Sequence, residues 1–207
     1  QEIQGVYVPF WMFDGMAEGS VDYEGQKIHF YETSTEKVTE TEHYEVRRGG
    51  SIAFEKVPVD ASSKIPDDHM DSIEPYDYAD LKPFSTAYLP GFLADKYDVS
   101  VENSRDRADG RCAASLEMAL RRTASEYDTC IPLNQSIRLK RGKVHYALLP
   151  VWMLHTKWNG KDFLFAMNGQ TGKLVGDLPT DMGKFWATFA AIAAPVTALA
   201  LLLMWLA

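Results

Sequence analysis

Cysteine is scarce in this chain: Cys112 and Cys130 are the two present, and no Cys-x-x-Cys pair occurs. So few excludes a disulfide scaffold and offers no basis for a structural zinc site, so reduced thiols are expected. Basic charge is short as well, with 21 Lys and Arg against 29 Asp and Glu for a net −8. Affinity for a phosphate backbone rests on cations that neutralise it, and no basic stripe is present, so nucleic acid is excluded as a partner. The densest basic stretch, Arg138 to Lys143, reads as solvated charge at a hairpin corner. There is no dinucleotide-binding fingerprint, no Walker loop and no nucleophile elbow. Asn168-Gly169-Gln170-Thr171-Gly172-Lys173 only superficially resembles a phosphate loop, because it lies between strand patterns and not ahead of a helix; it reads as a turn.

Ionisable side chains stop at Lys184, and from Phe185 to Ala207 the polar side chains are Thr188 and Thr197. An uncharged stretch of about 20 residues suffices to cross a hydrocarbon layer of about 30 Å. Residues 185–207 are therefore expected to form a transmembrane helix in a lipid bilayer, with Lys184, Trp186 and Trp205 at its interfaces. The chain begins at Gln, with no charged n-region and apolar h-region ahead of the folded part. A folded part followed by its first apolar span is expected to remain cytoplasmic.

What is plentiful is apolar and aromatic content, 46% and 12% of residues, which suits a folded chain. Val6 to Phe13 is an apolar run rich in strand formers. Ser20–Tyr23 and Lys27–Glu32 read as hairpin arms about Glu24-Gly25-Gln26, and Lys37–Arg48 turns at Gly49-Gly50 into Ile52–Val57, a meander of about four strands. Proline-rich, acidic Pro58–Pro90 reads as loops and short helices. Ser100–Tyr127 reads as a long helix, with Leu116, Leu120, Ala124 and Tyr127 at helical spacing, expected to lie on the sheet. Further strands follow to Val175, punctuated by Arg141-Gly142, Asn159-Gly160 and Asn168-Gly169. The expected fold class is α+β, a mostly antiparallel soluble domain over 1–184 with a long packing helix, then the transmembrane helix over 185–207.

Val8-Pro9-Phe10-Trp11-Met12-Phe13 and Leu149-Pro150-Val151-Trp152-Met153-Leu154 align without gaps. They suggest an internal repeat, 6–60 and 135–177, in which Pro9, Trp11, Pro150 and Trp152 are structural anchors. Proline in a buried strand removes a ladder hydrogen bond and belongs at an edge or bulge. Asp67, Asp68, His69 and Asp71 have cation-binding ligand types without an EF-hand spacing and are taken as a solvated acidic loop. Ser62-Ser63-Lys64 and the histidines, including His145 and His155, supply a nucleophile and bases in name only, since no sequence element orients them together. No catalytic, cofactor or metal residue is assigned. The acidic and aromatic segment containing Asp67, Asp68, Asp71, Tyr76 and Tyr78 is the expected partner surface.

With Val8 to Asp14, Thr41 to Arg48, Val57 to Asp60, Asp71 to Tyr78, Tyr146 to Trp152 and Phe165 to Lys173 in view, the chain resembles a family of bacterial membrane proteins. These carry an N-terminal zinc ribbon, a β-rich domain and C-terminal transmembrane helices, and are often mislabelled as replication or helicase proteins. The resemblance implies the bacterial cell membrane, a partner of the SPFH (flotillin-like) class, a link to phage-shock-type envelope-stress proteins, and no established catalysis. The ribbon cysteines and a second span are missing here, so metal binding is carried onto no residue and a fragment is expected. The closing hairpins also resemble a PepSY module, a helix on a small antiparallel sheet. The reading is a non-catalytic, membrane-anchored adaptor or scaffold, with oligomers allowed for; the alternative is a PepSY-like peptidase-regulatory domain or a hydrolase.

Overall fold

A computed structural model describes residues 2–33, 36–177 and 181–206, without the side chains of 2, 199, 202, 203 and 206. Two long strands open the chain, β1 (Glu2–Glu32) and β2 (Lys37–Asp60). A helical turn, α1 (Asp67–Ser72), a short strand, β3 (Phe92–Ala94), and a long helix, α2 (Val101–Arg122), follow. Then come β4 (Thr129–Trp158), β5 (Lys161–Asn168), β6 (Leu174–Gly176) and a last helix, α3 (Met182–Leu206). The sheet order is β2-β1-β4-β5-β6, antiparallel throughout, and β3 adds in parallel beside Gly5–Tyr7 where β2 has ended.

The apolar run at the start of β1 is unbroken because both faces are covered. Val8, Phe10 and Met12 pack with Ala147, Leu149, Val151 and Met153 of β4 beneath Ile65, Met70, Ile73 and Tyr76 from the α1 segment. The odd-numbered face carries Trp11 and Phe13, then Ala17, Val21 and Tyr23, and lies under α2. That helix starts at Ser100, whose Oγ accepts from the Asn103 N–H at 3.3 Å. It buries Ser104, Ala108, Cys112, Leu116 and Leu120, a stripe at every fourth residue. Beyond Met16 the even-numbered face is open, and charges pair across it: Glu18 with Lys140 at 2.8 Å and Asp22 with Arg47 at 2.7 Å.

The expected short strands are joined in this structure. Gly25 lies inside β1, where an added Cβ would stand 2.8 Å from Tyr127 and 2.9 Å from Val46. It permits a close approach of the chain after α2, not a turn. Gly49, Gly50 and the basic stretch Arg138–Lys143 likewise lie within β2 and β4. Left-handed conformations at Asn159 and Gly160 make the true turn between β4 and β5.

At one level all three long strands change register. Between Phe13 and Gly15 the central strand passes one residue, Asp14, while β2 passes Glu55 and Lys56 and β4 passes Gly142 and Lys143. Lys56 takes φ of 55° there. Two bulges side by side bend a sheet, and they divide the ribbon into a lower part, covered by the α1 segment on one face and the start of α2 on the other, and an upper part covered by α2 on one face.

The expected fold class requires correction. The structure is an antiparallel β-sheet domain with few helices, and among the described residues no helix is long and apolar enough to cross a membrane. The span expected over Phe185–Ala207, the bilayer and bacterial-membrane location, and the interface roles of Lys184, Trp186 and Trp205 all fall with that finding. Composition contributes: Met182–Pro195 holds Gly183, Lys184, Thr188, five alanines and Pro195 beside Phe185, Trp186, Phe189 and Ile192, and small side chains gain little on leaving water. The leucines of the uncharged stretch cluster at its end, where the side chains of 199, 202, 203 and 206, and all of Ala207, lie outside the described residues.

Candidate functional site

The sheet has an edge that its own hairpin leaves uncovered. β5 pairs with β4 only from Val151 to Trp158. The outward direction at Pro150 is fixed, because its carbonyl accepts from the Gly169 N–H at 2.8 Å on the β5 side. Alternation along a strand then sends the N–H and C=O of Leu148, Tyr146 and Val144 outward too. A groove of about 900 Å³ opens there, lined by His145 to Pro150 of β4 and by Gln170, just past β5. Its far wall is the segment Asp80–Leu89, with Phe84 and Tyr88 exposed. Three cations, Lys56, Lys82 and Lys96, line it without an ion-pair partner among the described residues, as does the carboxylate of Asp80. The groove's Asp95 is occupied by Lys64 Nζ at 2.5 Å and by the Ser62 hydroxyl at 3.0 Å.

Around the groove the aromatic side chains interlock. Trp11 is half-buried, donates Nε1–H to the Val99 carbonyl at 2.9 Å, and meets Tyr97 and Tyr146 at ring-centroid distances of 5.0 and 5.1 Å. Trp152 is half-buried against Phe92 at 5.1 Å. The two Pro-x-Trp stretches are neighbours, running antiparallel with Tyr7 opposite Pro150 and Trp11 opposite Tyr146. Pro9 falls in the gap between β3 and β2, where its missing N–H leaves no ladder bond unmade and its carbonyl accepts from Ala61.

The chain leading into the far wall, Ile73 to Asp77, is held by Asn168 and Gln170. Asn168, fully buried, donates from Nδ2 to the carbonyls of Ile73 at 2.9 Å and Pro75 at 3.1 Å, and its Oδ1 accepts from the N–H of Gln170 and Thr171. Gln170 then clasps Asp77, accepting its N–H and donating to its carbonyl.

At the bend, Asp14 accepts from the Lys56 N–H at 2.9 Å and lies 3.0 Å from His145 Nε2. The Lys56 N–H, against the smaller opposing effect of burial and with help from His145, holds the Asp14 carboxyl below the usual range. This dyad presents an imidazole to the groove, but the groove lining contains no serine, threonine or cysteine for it to activate. Ser62 and Lys64 do not form a nucleophile and base: both donate to Asp95, and that hydrogen bond, more than the opposing burial, raises the Lys64 pKa and keeps it an ammonium.

Of the expected partner surface, the structure gives Asp67 and Asp71 to Arg107, at 3.0 and 2.5 Å, and Asp71 also to Arg111. Tyr76 is in the core and Tyr78 is half-buried, while Asp68 is exposed. His69 is buried with Nδ1 unpartnered and Nε2 3.7 Å from Asp177. Among the described residues no group of three or more His, Cys, Asp or Glu is arranged to hold a metal ion. Cys112 and Cys130 are both buried and free. Arg107 also reaches the buried Asp60 at 2.6 Å, and Arg111 grips Glu74. Neither arginine was singled out in the sequence, although their spacing of four on the helix already placed them on one face.

YdjG, an uncharacterized protein of Bacillus subtilis, is 41% identical over 193 residues, which cover 93% of this chain and 57% of YdjG. The chain thus spans just over half the length of that relative, whose description carries no function to transfer. No family model and no solved structure matches the chain.

Proposed function

We propose that this chain is a non-catalytic interaction domain, an adaptor whose working surface is the groove beside the uncovered edge of β4. The observation that supports this best is the wall itself. Phe84 is 64% exposed and Tyr88 49% exposed on the segment that follows Ile73–Asp77, a stretch anchored by Asn168 and Gln170. Aromatic side chains on a fixed scaffold supply contact area at low entropic cost, as protein interfaces use them. A protein of the SPFH class, the partner implied by the resemblance, is the first to try.

The test is co-purification with quantitative mass spectrometry, comparing wild type with a Phe84→Ser, Tyr88→Ser double variant of unchanged thermal midpoint. A protein recovered in stoichiometric amount with wild type and lost with the variant is the expected result. If the variant keeps every partner while His145→Ala abolishes function, the hydrolase alternative replaces this reading.

A further inference from the structure

We infer that the occupant of this groove is an extended peptide rich in acidic residues, which adds as a strand to β4 along Val144–Leu149. The inference rests on the interaction reading above and names the partner's chemistry.

Three observations converge on it. The first is geometric: the groove begins at Gln170, where β5 leaves the sheet, so an added strand there continues the line of β5. The outward N–H and C=O groups of Tyr146 and Leu148, with those of Val144, are what strand addition pairs with. At about 3.3 Å per residue, Val144–Leu149 offers a pairing length of about 20 Å.

The second is the pattern of protection. Exposed edges are normally blunted by charge or proline, since an unprotected one pairs with any available strand. On β4 that protection is present up to the bend, as Pro132, Arg138, Lys140, Arg141 and Lys143, and it returns at Pro150. Between them Val144-His145-Tyr146-Ala147-Leu148-Leu149 contains no Lys, Arg, Asp, Glu or Pro. The unprotected window and the groove coincide.

The third is charge. The whole chain carries −8, yet the groove presents Lys56, Lys82 and Lys96 against Asp80, with Asp95 already taken by Lys64. A local excess of cations in an acidic protein favours acidic side chains on the incoming strand and disfavours basic ones.

The probe is a fluorescein-labelled peptide of about ten residues alternating Glu and Val, titrated with the full chain and followed by anisotropy. Three results are expected. N-methylation of one alternate set of peptide amides weakens binding by at least about tenfold, while methylation of the other set changes it less than about threefold. A Lys-for-Glu peptide binds at least about tenfold more weakly, and the Lys82→Glu, Lys96→Glu variant reverses that preference. The N-methyl comparison leaves the protein untouched, so it stands even if a variant misfolds. No saturable binding up to about 1 mM, or equal binding of both N-methylated peptides, overturns strand addition. So does a concentration-dependent dimer that excludes the peptide, which would assign the edge to a second copy. If the peptide fails while Phe84- and Tyr88-dependent partner capture persists, strand addition alone falls; if capture is lost too, the interaction reading falls with it.

Discussion

Asn168→Asp replaces one nitrogen by one oxygen in the side chain that fastens the stretch leading into the groove wall to the sheet. In the native protein Nδ2 supplies hydrogens to two carbonyls, Ile73 and Pro75, and Oδ1 receives two N–H groups. A carboxylate keeps the second pair but turns an acceptor toward both carbonyls, leaving two buried acceptors unpaired beside a buried charge. Four bonds at about 0.5–1.5 kcal/mol net each put Asn168→Ala at about 2–6 kcal/mol. Asn168→Asp should cost at least about 3 kcal/mol at pH 7, because desolvation of the charge adds to the lost donors. The pH dependence has a definite sign. Burial between carbonyls raises the folded-state pKa of the new carboxyl above its unfolded value, so the penalty is full above the folded pKa and shrinks as pH falls through it, when the protonated acid again has a hydrogen to donate. Urea unfolding at pH 7 and pH 4 reads both quantities. Hydrogen exchange should show residues 78–90 opening faster, with α2 unchanged. A variant within about 0.5 kcal/mol of wild type at pH 7 would refute the clamp and with it the account of how the wall is held.

Other expectations follow from the same structure. Arg107→Leu removes the partner of buried Asp60, whose carboxyl burial already pushes up, and should cost about 3–5 kcal/mol by urea unfolding at pH 7, less at lower pH as Asp60 takes up a proton. Burial, with Glu117 beside it, raises the Tyr23 pKa to about 12, so stability present below pH 10 should fall between pH 10 and about 12, and Tyr23→Phe should lessen that fall in thermal melts. Trp11→Ala should cost about 2–3 kcal/mol, below the usual range for a fully buried Trp because this ring is half-buried; an unchanged midpoint would show that the Val99 hydrogen bond and the Tyr97 and Tyr146 contacts add nothing.

Much of the local structure was legible and much of its connection was not. The unbroken apolar run of Val6–Phe13 and the helical spacing of Leu116 and Leu120 declare themselves, because burial on both faces or on one stripe is written directly into composition. The glycines misled. Gly25, Gly49, Gly50 and Gly142 read as turns, yet they lie inside strands, where what they provide is room for a neighbour and not a positive φ. Sequence alone does not separate those two uses. Asn168 was read as a turn residue and is also a buried clamp, and nothing local announces that its partners are Ile73 and Pro75, far back in the chain. The groove was invisible for a related reason. It exists because β5 stops pairing with β4 at Val151, and strand length relative to a neighbour is a property of the sheet, not of either strand's own residues.

The same logic explains why the edge is uncovered where it is. Between Val144 and Leu149 both faces of β4 are in use: Ala147 and Leu149 belong to the core under α1, while Val144 packs toward α2 and Tyr146 meets Trp11 and Tyr97. A lysine or glutamate in place of Ala147 or Leu149 would displace packing that the lower half of the sheet depends on, so side-chain charge is not available at those two positions as a guard against unwanted pairing. Before the bend the even face is open, and charges sit on it freely. After Pro150 the edge is covered by β5 instead. The window in between is covered by no strand among the described residues, and the Asp80–Leu89 segment, preceded by Asp77, which is tied to Gln170, stands off from it and leaves the groove open. An edge whose buried positions cannot be charged and whose neighbour strand has ended is where a partner gains most by adding a strand.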